Sequence, residues 1–237
     1  MPSLHQTLHG VLQTIENAAT LAGRPRSVTL LAVSKTRTAD EVRALAAAGQ
    51  SVFGENYVQE GIEKVRALSD LSLEWHLIGH LQSNKCREAA AHFDWVQSVD
   101  RPKLVAALDQ ARGPGRPPLN VLLQVNVDGE AGKSGCAPDQ VAALADQVLA
   151  APNLRLRGLM AIPEPHPDPA RRRASFHALR RLFDDLAAHH AGIDTLSMGM
   201  SEDFDLAIAE GATLVRLGTA LFGARSASPT PPPAVNP

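Results

Sequence analysis

Lys35 ends the run Leu30-Leu31-Ala32-Val33-Ser34. A lysine at the mouth of an apolar element tends to lose its charge to desolvation, and the neutral amine attacks an aldehyde to form a Schiff base. The plainer role for such a residue is a solvated lysine in an ion pair. A second signal lies in Thr213-Leu214-Val215-Arg216-Leu217-Gly218-Thr219-Ala220. Gly218 lets a ligand approach the backbone, and the N–H groups of Gly218 and Thr219 suit an anion. Arg216 stands inside the apolar part of that run, where an unpaired guanidinium is costly. It must meet a carboxylate, a carbonyl or a ligand acceptor.

Ser201 follows the short run Thr195–Met198 and is expected to open a helix, where its hydroxyl and the first amides could hold a phosphate. It could equally be an ordinary N-cap, and Gly218 an ordinary turn. Glu202, Asp203 and Asp205 come directly after Ser201; they favour the helix dipole but oppose an anion, so they must point elsewhere. Phe53-Gly54-Glu55-Asn56-Tyr57 offers a carboxylate and an amide at one rim. His76 and His80 stand four apart, which on a strand separates them by ~13 Å, and no HExxH pattern is present. A metal centre is not supported.

The elements that must carry these residues follow from periodicity. Leu4, Leu8, Val11, Leu12, Ile15 and Ala19 make one helical stripe ending near Gly23 and Pro25. Val28–Val33 then reads as a strand, and Thr38-Ala39-Asp40-Glu41 as a capping box opening a helix that stops at Gly49. Further strands are expected at Ser51–Gly54, Glu74–Ile78, Trp95–Val99, Val121–Asn126, Leu156–Ile162, Thr195–Met198 and Thr213–Leu217, with helices after most of them, clearest at Val141–Ala150 and after Pro169. Several of these strands are continuously apolar, as befits a sheet covered on both faces. The expected fold is α/β, a TIM (β/α)8 barrel with an additional N-terminal helix. A doubly wound sheet is the alternative, but no GxGxxG follows the first strand.

Composition agrees. With 44% hydrophobic residues and a net charge of −2, the chain can build a large core and has no broad nucleic-acid footprint. Two cysteines without CxxC spacing give no disulfide framework, and no apolar stretch is long enough for a membrane helix. A cytoplasmic protein is expected, with one domain over residues 1–225. The stretch 226–237, rich in proline, is expected to be a disordered tail.

Six segments, AVSKT at 32–36, FGENYVQE at 53–60, WHLIGHLQSNK at 75–85, GLMAI at 158–162, SMGMSEDFDLAI at 197–208 and VRLGTALFG at 215–223, together resemble the pyridoxal phosphate homeostasis protein family. They stand in family order, and the resemblance covers nearly the whole chain apart from the tail. The resemblance implies a barrel related to the N-terminal domain of alanine racemases, holding pyridoxal 5′-phosphate (PLP). It implies that Lys35 forms the Schiff base, that Ser201, Gly218 and Thr219 hold the phosphate, and that Arg216 faces the pyridine nitrogen. Asn56 and His76 fall on family motifs lining the same mouth, and Met160, Met198 and Met200 are expected near the ring. The implied role is intracellular PLP and amino-acid balance without substantial catalysis, by a monomer with apo PLP-dependent enzymes as recipients. The competing readings are a one-domain racemase, with Lys35 as one base, and a Schiff-base aldolase.

Overall fold

In the computed structural model, which describes residues 3–24 and 28–223, strand and helix alternate from Thr29 onward. The strands are β1 (Thr29–Val33), β2 (Val52–Glu55), β3 (Glu74–Leu77), β4 (Trp95–Val99), β5 (Leu119–Gln124), β6 (Leu154–Met160), β7 (Thr195–Ser197) and β8 (Leu214–Leu217). Each pairs in parallel with the next, and β8 closes on β1 with Arg216 opposite Leu31. This is the expected barrel, and the closed order excludes an open doubly wound sheet.

One helix follows each strand: α2 (Ala39–Ala47), α3 (Val58–Ala67), α4 (Cys86–His92), α5 (Pro102–Arg112), α6 (Val141–Leu149), α7 (Pro169–His189), α8 (Phe204–Ala209) and α9 (Thr219–Phe222). The additional α1 (Leu4–Leu21) precedes the barrel and packs against α8 and α9 through a stripe that buries Leu8, Ile15 and Ala19. The box at the start of α2 forms as its sequence dictates, with the Glu41 N–H donating to Thr38 Oγ1 and the Thr38 N–H to Glu41 Oε2. The strands differ from the sequence reading at their ends. β6, for example, stops at Met160, so that Ile162 is exposed beyond it rather than inside the sheet.

The main apolar core lies between sheet and helices. Two smaller clusters separate from it, Leu31 with Ile78 and Leu214, and Trp95 with Leu122 and Met160. These fill the barrel interior. Strand residues two apart share a face, so His76 points inward with Ile78, Gln97 with Trp95, and Arg216 with Leu214. Polar side chains therefore occupy the barrel axis just beneath its C-terminal mouth. No helix among the described residues is long and apolar enough to cross a membrane. The stretch 226–237 lies outside the described residues.

Candidate functional site

Two adjoining recesses open at the C-terminal ends of the strands, of about 200 and 290 Å³. They share Val33, Lys35, Met200 and Arg216. Taken together they reach the ~300–1,000 Å³ usual for a small-molecule site. Thr36, Arg37, Ser201, Gly218 and Thr219 complete the smaller one. The larger adds Asn56, His80, Gln124, Lys133 and Ser134 among others.

Lys35 sits where β1 leaves the barrel, and its backbone is held by a buried ionic cluster. Lys64 Nζ donates to the Ser34 carbonyl at 2.6 Å, to Glu55 Oε1 at 2.8 Å and to Glu60 Oε1 at 2.7 Å. Ser34 Oγ donates to Glu55 at 2.5 Å, and the Thr36 N–H to Glu60 at 2.5 Å. Both neighbours of Lys35 are thereby tied to α3. Thr36 is the only non-glycine among the described residues with positive φ, at 64°. A β-branched residue is costly there, and the bond to Glu60 offsets part of that cost. Glu55 is fully buried in this cluster rather than at the rim where the sequence reading had it. Burial pushes its carboxyl above the usual range, with Lys64 and Ser34 opposing.

Arg216 is almost fully buried. Its Nη1 donates to Ser197 Oγ at 2.7 Å and its Nη2 to the Ala161 carbonyl at 2.8 Å. Among the described residues no carboxylate forms an ion pair with it. Burial brings its pKa down to about 10, with Asp203 opposing, and it stays cationic at neutral pH. A guanidinium has five N–H donors. One that uses two of them on neutral oxygens, with no carboxylate partner and a face on a recess, suits a ligand acceptor.

Gly218 and Thr219 line the same recess at the start of α9. Thr219 is the first residue of that helix, so its N–H has no intrahelical acceptor. Ser201 lines the recess but does not open a helix, which corrects the sequence reading: α8 begins at Phe204, and residues 201–203 form a turn closed by the Met200 N–H on Asp203 Oδ1 at 2.7 Å. The acidic neighbours are resolved by the same turn. Glu202 and Asp203 face a neighbouring recess lined by Pro163, Pro165, His166 and Arg172, which meets the Lys35 recess at Met200 and Ser201.

Asn56 lines the larger recess, as does Met200. Met198 and Met160 are fully buried and line neither. His76 also lines neither, correcting its expected place at the mouth: it is fully buried in the barrel, stacked on Trp95 with ring centroids 4.9 Å apart. A histidine in the middle of a short strand that reads EWHL alternates inward with the pleat, and only residues at the strand exit reach the opening. Sequence reasoning missed Lys64, Glu60, Gln97 and Ser197. The i, i+4 pair Glu60 and Lys64 was the available signal for the first two, and polar residues within the wholly buried β4 and β7 for the others.

Asn56 is placed by close backbone packing at Gly79. A Cβ on Gly79 would stand 2.1 Å from the Asn56 carbonyl oxygen. Backbone cannot yield as a side-chain tip can, so Gly79→Ala is expected to cost ~1–3 kcal/mol and to displace the Asn56 rim. Urea unfolding reads the first effect; an unchanged midpoint would show that the loops separate freely.

The alanine racemase N-terminal domain family matches residues 11–226. A pyridoxal phosphate homeostasis protein of Pseudomonas aeruginosa is 57% identical, covering 95% of this chain and 97% of its own. Among solved structures, an unknown protein from Bifidobacterium adolescentis superposes with a TM-score of 0.84 at 36% identity, covering 92% of this chain and 94% of that one. PipY of Synechococcus elongatus, in a structure with PLP bound, superposes with a TM-score of 0.77 at 42% identity, covering 88% of this chain and 99% of its own.

Proposed function

Because the chain belongs to the pyridoxal phosphate homeostasis protein family, within the wider alanine racemase N-terminal domain family, we propose that its mouth holds PLP on Lys35 and that holding the cofactor, not turning over a substrate, is its work. The observation that carries this is the pairing of Lys35 with a buried, carboxylate-free Arg216 on one recess. The donor set fits the cofactor at both ends. Lys35 would supply the amine, Arg216 would meet the pyridine nitrogen, and Ser201, Gly218 and Thr219 would receive the phosphate. When bound, PLP supplies an aldehyde that condenses with amines and a ring that withdraws electrons once its nitrogen is protonated. Arg216 does not give up its proton at neutral pH, so it would keep that ring nitrogen an acceptor. Met200 and Asn56 are among the residues that line the larger part of the cavity. The same proposal has the protein act in the cytoplasm and supply apo PLP-dependent enzymes, a role supported by the homeostasis function named for its relatives.

Borohydride reduction of PLP-loaded protein, followed by peptide mass spectrometry, tests the attachment. The adduct is expected on Lys35; an adduct confined to another lysine, or none, would overturn the assignment. The phosphate end is tested by pyridoxal. Charge-assisted hydrogen bonds contribute ~1.5–3 kcal/mol each, so pyridoxal without phosphate is expected to bind more than ~10-fold more weakly than PLP. Equal affinities would remove Ser201, Gly218 and Thr219 from the site.

A further inference from the structure

Behind Arg216 an unbroken polar chain crosses the barrel. Arg216 Nη1 lies 2.7 Å from Ser197 Oγ, and Ser197 Oγ lies 2.7 Å from Gln97 Oε1. Gln97 Nε2 lies 2.8 Å from His76 Nδ1, and His76 Nε2 lies 2.8 Å from Glu74 Oε1. Ser197, Gln97 and His76 are fully buried, whereas the Glu74 side chain, at the opposite end of β3 from the mouth, is 46% exposed. Nothing in the cofactor site described above needs these four side chains to touch a ligand. Yet burying so many polar groups in a barrel interior otherwise filled by Leu, Ile, Trp and Met is costly unless each is satisfied.

Each is satisfied in one direction only. A carboxylate accepts and does not donate, so Glu74 requires the proton of His76 on Nε2. A neutral ring protonated there presents a lone pair at Nδ1. Only the amide N–H of Gln97 can meet that lone pair, which turns the amide oxygen toward Ser197. The Ser197 hydroxyl must then give its proton to Gln97, leaving only lone pairs for Arg216, which has only donors. Turning the Gln97 amide over would set its oxygen against Nδ1, and this is tolerable only if His76 becomes an imidazolium. Burial opposes that form, while Glu74 favours it to a smaller extent.

We propose that Ser197, Gln97 and His76 are positioning residues that fix the plane and donor direction of Arg216, with Glu74 setting the polarity of the chain from the far end. Two corners of the guanidinium are then pinned, by Ser197 and by the Ala161 carbonyl, and its remaining donors keep a fixed aim at the mouth. This rests on the proposed PLP site for what Arg216 is aimed at, and on hydrogen-bond chemistry alone for the order of the chain.

Two measurements test it. In 15N-histidine-labelled wild-type protein without ligand, two-bond 1H–15N correlation is expected to show His76 neutral at pH 7, with Nε2 protonated and Nδ1 bare. An Nδ1–H tautomer or an imidazolium would overturn the proposal, and this reading needs no variant to fold. In PLP titrations Ser197→Ala is expected to bind about tenfold more weakly, ~1.4 kcal/mol, and to move the visible absorbance maximum, with Ser197→Thr restoring both. A purely structural serine would lower the melting temperature without moving the absorbance. Wild-type protein that takes up PLP while Ser197→Ala matches it in affinity and spectrum would sink the positioning role alone. Wild-type protein that takes up no PLP would sink the cofactor assignment and this role with it.

Discussion

Lys35→Ala, saturated with PLP, is expected to show none of the visible absorbance of a lysine-linked cofactor and no borohydride-stable adduct, while folding as wild type does. The first half follows from chemistry: Lys35 lines both recesses with Arg216, and alanine offers no nucleophile. The second half follows from the way the segment is built. Among the described residues the Lys35 side chain has no hydrogen-bond or ion-pair partner, and its neighbours are held by Lys64 and Glu60 through bonds that the substitution leaves intact. Removing it should therefore change stability by less than ~1 kcal/mol. PLP should still enter through Arg216 and the phosphate end, reversibly and more weakly. An absorbance spectrum identical to wild type would overturn the attachment. A visible band restored through Lys133, which lines the larger recess, would be betrayed by the mapped adduct.

The barrel was legible because its signals are local and repeated. Each strand is a short apolar run closed by a helix with a readable start, and the box at Thr38 and Glu41 formed as written. What lies at the strand exits was legible for the same reason: Lys35, Ser201, Gly218 and Thr219 line one recess, and Arg216 borders it from inside the barrel. The failures have separate physical causes. His76 and Glu55 belong to motifs that do reach the mouth, but Glu55 points away from the barrel axis to Lys64 while Asn56, one residue on, lines the recess, and His76 faces inward one turn of the pleat too deep, below Ile78; motif membership carries neither the parity nor the depth. Ser201 was expected to open a helix because it follows the seventh strand, yet Asp203 caps the Met200 N–H and delays the helix to Phe204. The supporting residues were hidden more deeply. Lys64 meets Ser34 across 30 positions and Ser197 meets Gln97 across 100, and separations of that size are set only by closure of the barrel.

L-Alanine offered to PLP-loaded protein is expected to yield D-alanine at less than ~10⁻² s⁻¹, at least ~100-fold below the slow end of ordinary enzyme turnover. Racemisation requires a proton removed on one face of the bound amino acid and another delivered on the opposite face, with the negative charge at Cα stabilised between the two events. Lys35 can serve one face. Tyr57, the single tyrosine of the chain, is 65% exposed and lines neither recess. The larger recess offers His80 instead, whose Nδ1 lies 3.0 Å from Ser134 Oγ. A second proton donor is therefore less scarce than the sequence suggests, and the stronger restraint in the proposed site would be Arg216: a permanent cation donating to the ring nitrogen, without protonating it, would leave charge at Cα poorly delocalised. Deuterium incorporation at Cα in heavy water, read together with chiral separation of the alanine, distinguishes the possibilities. Slow exchange with retention would mean that Lys35 works alone on one face. Inversion at ~1 s⁻¹ or faster, lost in both Lys35→Ala and His80→Ala, would make this recess a racemase site with His80 as the second base and would overturn the carrier reading.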